Sequence, residues 1–155
     1  NEVVSGDKTN REGHSAKVYF NTLFTKKFVR NENDSINAAL NYGYAILLSS
    51  FNKEIVSNGY LTELGIHHKN EFNPFNLSCD LMEPFRIIID NFVYHNKERE
   101  LNTDYKMDIV NILNSKFKYN GKQYTLKDII KLYTKNVFLY LEQEKEYIGF
   151  YINEE

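Results

Sequence analysis

Apolar residues recur at three- and four-residue spacing along most of this chain, and that period predicts helices rather than strands. From Asn10 the text NREGHSAKVYFNTLFTKKFVR puts Ala16, Tyr19, Phe20, Leu23, Phe24 and Phe28 on one stripe, the pattern of an amphipathic helix. Lys26, Lys27 and Arg30 then fall in its last turns, where cations suit the negative end of the helix dipole. A polar break, NENDS, follows, with Asp34 or Ser35 placed to cap the next helix. That second helix, INAALNYGYAILLSSFNKEIVSNGY, is apolar on most faces between Ala38 and Leu48. It is expected to be central and buried, with Gly43 permitting a neighbouring helix to come close.

Gly59 to Asn76 reads as a loop, holding Gly59, Gly65, Pro74 and the run GIHHKN. A loop of that length carrying histidines is more often functional than filler. Leu77 opens a helix, LSCDLMEPFRIIIDNFVYHNK, in which Pro84 removes the bond to the Asp80 carbonyl and predicts a kink. Thr103 is placed to cap DYKMDIVNILNSKF. FKYNGKQYT alternates around Asn120-Gly121, a strong hairpin signal. Thr125 and Asp128 begin the last helix, TLKDIIKLYTKNVFLYLEQEKEY, as a capping box. The fold class expected is all-α, a helical bundle with one small β-hairpin.

The 155 residues allow one domain, expected over residues 10–155 behind a frayed segment 1–9. Balanced charge, net −2, gives no sign of a nucleic-acid partner at the level of composition, so any basic groove is local. The single Cys79 excludes an intramolecular disulfide and fits a reducing, cytoplasmic setting; it reads as a small buried hydrophobe. No run of about 18 apolar residues exists to span a membrane. NEVVSGDKTN lacks the basic and apolar regions of a signal peptide and has no initiator Met, so a piece of a longer protein is expected.

Candidate chemistry concentrates between Gly65 and Arg86. Asp80 and Glu83, three apart, would share a helix face, and two such acids repel unless a cation or proton lies between them. His67 and His68 precede them on the loop. Glu12 opens the first helix among small neighbours, Gly13, Ser15 and Ala16, that leave room beside its carboxylate. A glutamate, a histidine and a second acid from three elements make a mixed nitrogen and oxygen site suited to Mn²⁺ or Mg²⁺. Each feature also has an ordinary reading: a solvated acidic face, a surface histidine pair, an acid favoured at a helix N-terminus. The Tyr/Phe stripe of the first helix reads as core rather than a base-stacking platform. Glu142, Glu144, Glu146, Glu154 and Glu155 read as a solvated tail. Spacing alone leaves the function open.

Taken together, REGHSAKVYF, INAALNYGYAILLSS, LGIHHKN and DLMEPFR resemble the CRISPR-associated integrase/endonuclease family of the spacer-acquisition complex, specifically the C-terminal catalytic domain of its type II branch. The likeness runs from about Asn10 to Asp90 and more loosely through the hairpin to the final helix. The family's N-terminal β-rich domain, which forms its homodimer, is not expected here. The resemblance implies one divalent metal, Mn²⁺ or Mg²⁺, held by Glu12 of R-E-G, His68 of G-I-H-H and Glu83 before Pro-Phe-Arg, with His67 the alternative imidazole. Some branches carry aspartate at the last position, so Glu83 is a longer-reaching variant. Asp80 is expected to support the ligands from behind or through water, and Arg86 to orient an acid or meet a phosphate. Lys17, Lys26, Lys27, Arg30 and Lys69 are candidates for phosphate contact. His14, Ser15, Asn41 and Tyr44 occupy motif positions without an assigned role.

The implied function is insertion of short foreign DNA (spacers) into a CRISPR repeat array by phosphodiester transesterification. The implied partners are double-stranded DNA (spacer precursor and repeat), a homodimer in the full-length protein, a small second subunit, and the type II effector nuclease with an accessory ring protein; no membrane is involved. Two other readings compete: a catalytically silent helical module for DNA or protein interaction, and an unrelated metal hydrolase using the same ligands.

Overall fold

Six α-helices carry the fold in the computed structural model, which describes residues 11–142 and 152–153. They are α1 (Arg11–Leu23), α2 (Ser35–Ser57), α3 (Asn76–Met82), α4 (Arg86–His95), α5 (Thr103–Asn111) and α6 (Leu126–Leu141). Strands β1 (Lys116–Tyr119) and β2 (Lys122–Thr125) form the expected hairpin, and β3 (Ile152–Asn153) pairs with the other side of β1. The segments 1–9, Glu144, Glu146, Glu154 and Glu155 lie outside the described residues.

Helix α2 is the axis of the bundle and packs against α3, α4, α5 and α6. Leu40, Leu47, Phe51 and Ile55 are fully shielded along it, as are Phe85, then Ile89 and Val93 of α4, and Leu126, Ile129 and Ile130 of α6. Each such side chain contributes roughly 1.5–3 kcal/mol on burial, so this seam anchors the fold. Gly43 does what its place in the apolar run suggests. A Cβ there would lie 2.4 Å from Ile89 Cγ2, so α4 sits against bare backbone. Asp34 rather than Ser35 caps α2, accepting from the Asn37 amide at 2.7 Å.

Pro84 breaks the predicted long helix into α3, a 3-10 turn over Glu83–Phe85, and α4. Asn102, not Thr103, caps α5 through a 2.9 Å bond from the Tyr105 amide. Asn120 and Gly121 both take positive φ, 49° and 78°, as a two-residue hairpin turn of matching twist requires. Thr125 and Asp128 cap α6 as expected.

The first helix is shorter than its aromatic spacing predicts. It ends at Leu23, and the chain turns so that Phe24 and Phe28, both buried, meet at 4.9 Å. Tertiary packing of the rings overrides the helical period. Lys26, Lys27 and Arg30 therefore sit on an irregular segment and not on a helix terminus. Cys79 is only partly buried, with Asn73 Nδ2 3.7 Å from its Sγ. Glu142 is exposed yet accepts a hydrogen bond from the Tyr60 hydroxyl.

Candidate active site

A cleft of ≈ 850 Å³ opens between α1, α2, the loop 59–76 and the start of α4. Gly13, Ser15, Ala16 and Tyr19 form its α1 wall. His67 and His68 come from the loop; Glu83 immediately precedes Pro84, and Arg86 and Asp90 follow it on α4; Tyr44 comes from α2. The backbone stays helical through Glu83, before the turn at Pro84, and the two acids have separate partners, His68 and its loop for Asp80 and Arg86 for Glu83.

Asp80 reaches under the loop. Its Oδ2 accepts from the amides of Ile66 and His67 at 2.6 and 2.8 Å, and its Oδ1 from the His68 amide at 3.1 Å. The same Oδ1 stands 2.5 Å from His68 Nδ1. Burial alone would push the Asp80 carboxyl up. The His67 amide, the His68 ring and the amides of His68 and Ile66 together outweigh it and hold the group below its ordinary value. An ionised carboxylate only accepts, so Nδ1 carries a proton, and in the neutral ring Nε2 is then the nitrogen with the lone pair. Gly65 makes the close approach possible, because a Cβ there would lie 2.2 Å from the His68 carbonyl oxygen. Asp80 was expected to support a ligand from behind, and it stands behind His68 and the loop that carries it.

Glu83 is exposed, and its Oε2 lies 3.0 Å from Arg86 Nε. That contact is an ion pair without hydrogen-bond alignment, so Nε remains a buried N–H with no bonded acceptor. The guanidinium lies over the Tyr44 ring, 4.8 Å from its centroid. Arg30 reaches the same ring at 5.4 Å and is held by Asn37 Oδ1 and Asn41 Oδ1 at 2.9 and 2.7 Å. This gives the motif position Asn41 a structural task and makes Arg30 a fixed group, unlike a mobile surface cation.

Two residues of the cleft escaped the sequence reading. Asp90 is buried and accepts from the hydroxyls of Tyr19, at 2.9 Å, and Tyr44. Burial raises its carboxyl, against the opposing pull of Tyr44, Tyr19, Arg86 and Arg30. Both phenols are raised in turn, by burial first and then by Asp90. Tyr19, read as core, is part of the cleft wall instead. Inside IIIDNF an acid looks like a solvated interruption of an apolar face; the signal available was its place one turn after Arg86.

The predicted ligand residues are partly assembled. His68 and Glu83 line one cleft, as does His67. Glu12 stands in the first turn of α1, and its side chain lies outside the described residues. Among the described residues, no three acidic, His or Cys side chains converge as a cation cage. Lys17, Lys26, Lys27 and Lys69 are exposed and stand outside the cleft lining. No helix among the described residues is long and apolar enough to cross a membrane.

Comparison with known proteins shows which family the chain resembles. The family described as "CRISPR associated protein Cas1" matches residues 9–129. The chain is 48% identical over 94 residues to the CRISPR-associated endonuclease Cas1 of Neisseria meningitidis serogroup C (strain 8013), covering 61% of this chain and 31% of that protein. It is 31% identical over 150 residues to CRISPR-associated endonuclease Cas1 1 of Francisella tularensis subsp. novicida (strain U112), covering 84% and 47% respectively. Among solved structures, a casposase bound to integration product superposes with a TM-score of 0.73 at 28% identity, over 93% of this chain and 50% of that one. The chain therefore spans from about a third to half the length of these relatives.

Proposed function

The chain belongs to the family of CRISPR associated protein Cas1, and on that premise we propose that it is the helical catalytic domain of a metal-dependent DNA endonuclease/integrase that inserts spacers into a CRISPR repeat array. The observation that carries this reading is the fixed imidazole of His68, tied through Nδ1 to Asp80 at 2.5 Å and lining the same cleft as Glu83. A histidine prepared in this way, with its second nitrogen free and a carboxylate behind it, has the arrangement found around metal-ligating histidines. Position 12 is in helical register with Ser15, Ala16 and Tyr19, which line that cleft. Glu12, His68 and Glu83 would hold the ion, Mn²⁺ or Mg²⁺, and His67 is the alternative imidazole. When bound, such an ion polarises a phosphate and lowers the pKa of an attacking hydroxyl.

The residues of the chain do the rest. Asp80 keeps His68 in the tautomer that can ligate and holds the loop closed over it. Glu83, paired with Arg86 here, would leave that guanidinium available to a phosphate if it held the ion. A 3′-hydroxyl of the incoming DNA forms the new P–O bond, a 3′-oxygen of the repeat leaves, and one phosphodiester replaces another without a nucleotide cofactor. Arg30, Lys17, Lys26, Lys27 and Lys69 stand outside the reacting groups; the four lysines suit contacts that position a DNA backbone without reading sequence. The casposase relative is bound to integration product, which supports DNA as the partner. The homodimer, the small second subunit, the type II effector nuclease and the accessory ring protein belong to the same proposal, as does a single domain over residues 10–155.

The test is strand transfer of a short duplex into repeat DNA by the full-length protein. Glu12→Ala, His68→Ala and Glu83→Ala are each expected to abolish transfer while helical content and melting stay at the parental level. Transfer retained by Glu83→Ala overturns the assignment.

A further inference from the structure

The cleft floor holds a carboxylate that none of the roles above employs. Asp90 is 4% exposed, and among the described residues no cation pairs with it directly. Two neutral phenols, Tyr19 and Tyr44, satisfy it. A packing role needs no acid at this position: an apolar residue would continue the buried face of Ile89 and Val93. Keeping a carboxylate in a site this poor in water costs solvation free energy, so its hydrogen bonds have to do something that packing cannot.

What they hold is Tyr44, and what Tyr44 holds is Arg86. The Arg86 guanidinium rests 4.8 Å from the Tyr44 ring centroid, and its contact with Glu83 is poorly aligned. Apart from Glu83, the ring is the side chain in contact with the guanidinium among the described residues, and Asp90 behind it adds a through-space attraction. Arg30, on the same ring, is fixed by Asn37 and Asn41 and cannot follow. Tyr44 donates a hydrogen bond from its hydroxyl to Asp90, which tethers the ring beneath the cation. A phenol donating to a carboxylate also becomes more electron-rich, which strengthens its hold on a cation over its face. We propose that Asp90, acting through Tyr44, is a positioning residue that holds Arg86 in the cleft for a DNA phosphate, independently of Glu83. The inference rests on the reading of the site given above and deepens it.

The experiment is a double-mutant cycle in the full-length protein, scored as the rate of phosphodiester exchange at saturating DNA. Tyr44→Phe keeps the ring and removes the link to Asp90; Arg86→Lys keeps the charge and removes the planar guanidinium. Each single variant is expected to slow exchange by on the order of 10- to 100-fold, as loss of positioning does. The Tyr44→Phe/Arg86→Lys protein is expected to be no slower than Arg86→Lys alone, since both changes break one chain of contacts. Calorimetric Mn²⁺ affinity is expected at the parental level in Tyr44→Phe, because no ligand residue is touched. Losses that multiply in the double variant, or a Tyr44→Phe protein with parental rate, overturn the proposal. Asp90→Asn run through the same cycle repeats the test at the other end of the link, and additivity there overturns it equally. Glu83→Ala is the control that separates the two readings: activity in that variant defeats the site assignment, whereas an inactive Glu83→Ala beside multiplying losses defeats only the positioning role.

Discussion

His68 Nδ1 and Asp80 Oδ1 stand 2.5 Å apart, and the same carboxylate also receives three consecutive loop amides, those of Ile66, His67 and His68. One side chain thus fixes both the path of the loop and the orientation of the imidazole it presents. The arrangement couples backbone and chemistry, because anything that lifts the loop also releases the ring.

Gly65 is where that coupling is most easily tested. A Cβ at this position would come within 2.2 Å of the His68 carbonyl, 2.9 Å of Asn76 Cβ and 3.0 Å of Asp80 Oδ2. Backbone cannot yield as a flexible side chain does, so Gly65→Ala is expected to lift the loop off Asp80. Hydrogen exchange should accelerate at the amides of Ile66, His67 and His68, and Mn²⁺ affinity should fall roughly 10- to 100-fold, as when a partner behind a ligand is lost. Parental exchange at those three amides would show that the loop does not depend on the missing side chain.

Asp90 makes stability depend on pH in a stated direction. Its folded-state carboxyl lies above the ordinary value, because burial outweighs the tyrosine and arginine contributions. The native state therefore keeps a proton that the unfolded chain has released, and this contribution to stability declines as pH rises from about 4 through the raised folded value. Thermal melts of the chain and its Asp90→Asn variant across that window should show the parent losing ground to the variant as pH increases. A constant difference would place the titration elsewhere.

Gly43 is the tight point of the core. Ile89 Cγ2 would lie 2.4 Å from an added Cβ, and Ile89 is itself 1% exposed. Gly43→Ala is expected to destabilise by about 1–3 kcal/mol, the usual effect of overpacking. Adding Ile89→Val in the same chain should recover part of it, measured by denaturant melts. Additive losses in the double variant would mean that the two helices do not meet there as described.

Much of this was legible because local chemistry and tertiary need coincide. The apolar run of α2, the Asn120-Gly121 turn and the Thr125 cap each solve a backbone problem with residues suited only to that solution, so the text states the structure. Phe24 and Phe28 show the opposite case. Their spacing continues a helix, but two rings can bury more completely by turning against each other, and only the folded neighbours reveal that. The candidate site divides in the same way. His68 and Glu83 were found from motif positions, since chemistry restricts residue type. Asp80 was named as a support, but its bonds to the loop amides were not, nor was Asp90 as a cleft acid, because those partners lie 12 to 14 and 46 to 71 positions away. Periodicity carries no information over such separations.

The short pairing of β3 with β1 has its own consequence. Strand β1 is bonded on both sides, with Lys118 opposite Asn153 and Tyr119 opposite Ile152 across one edge. An isolated hairpin would offer that edge as a template for strands from other molecules, a common starting point for self-association. Here a foreign strand must first evict a segment of the same chain, so a contact of only two residues covers that edge of β1, and β2 and β3 are the outer strands of the sheet.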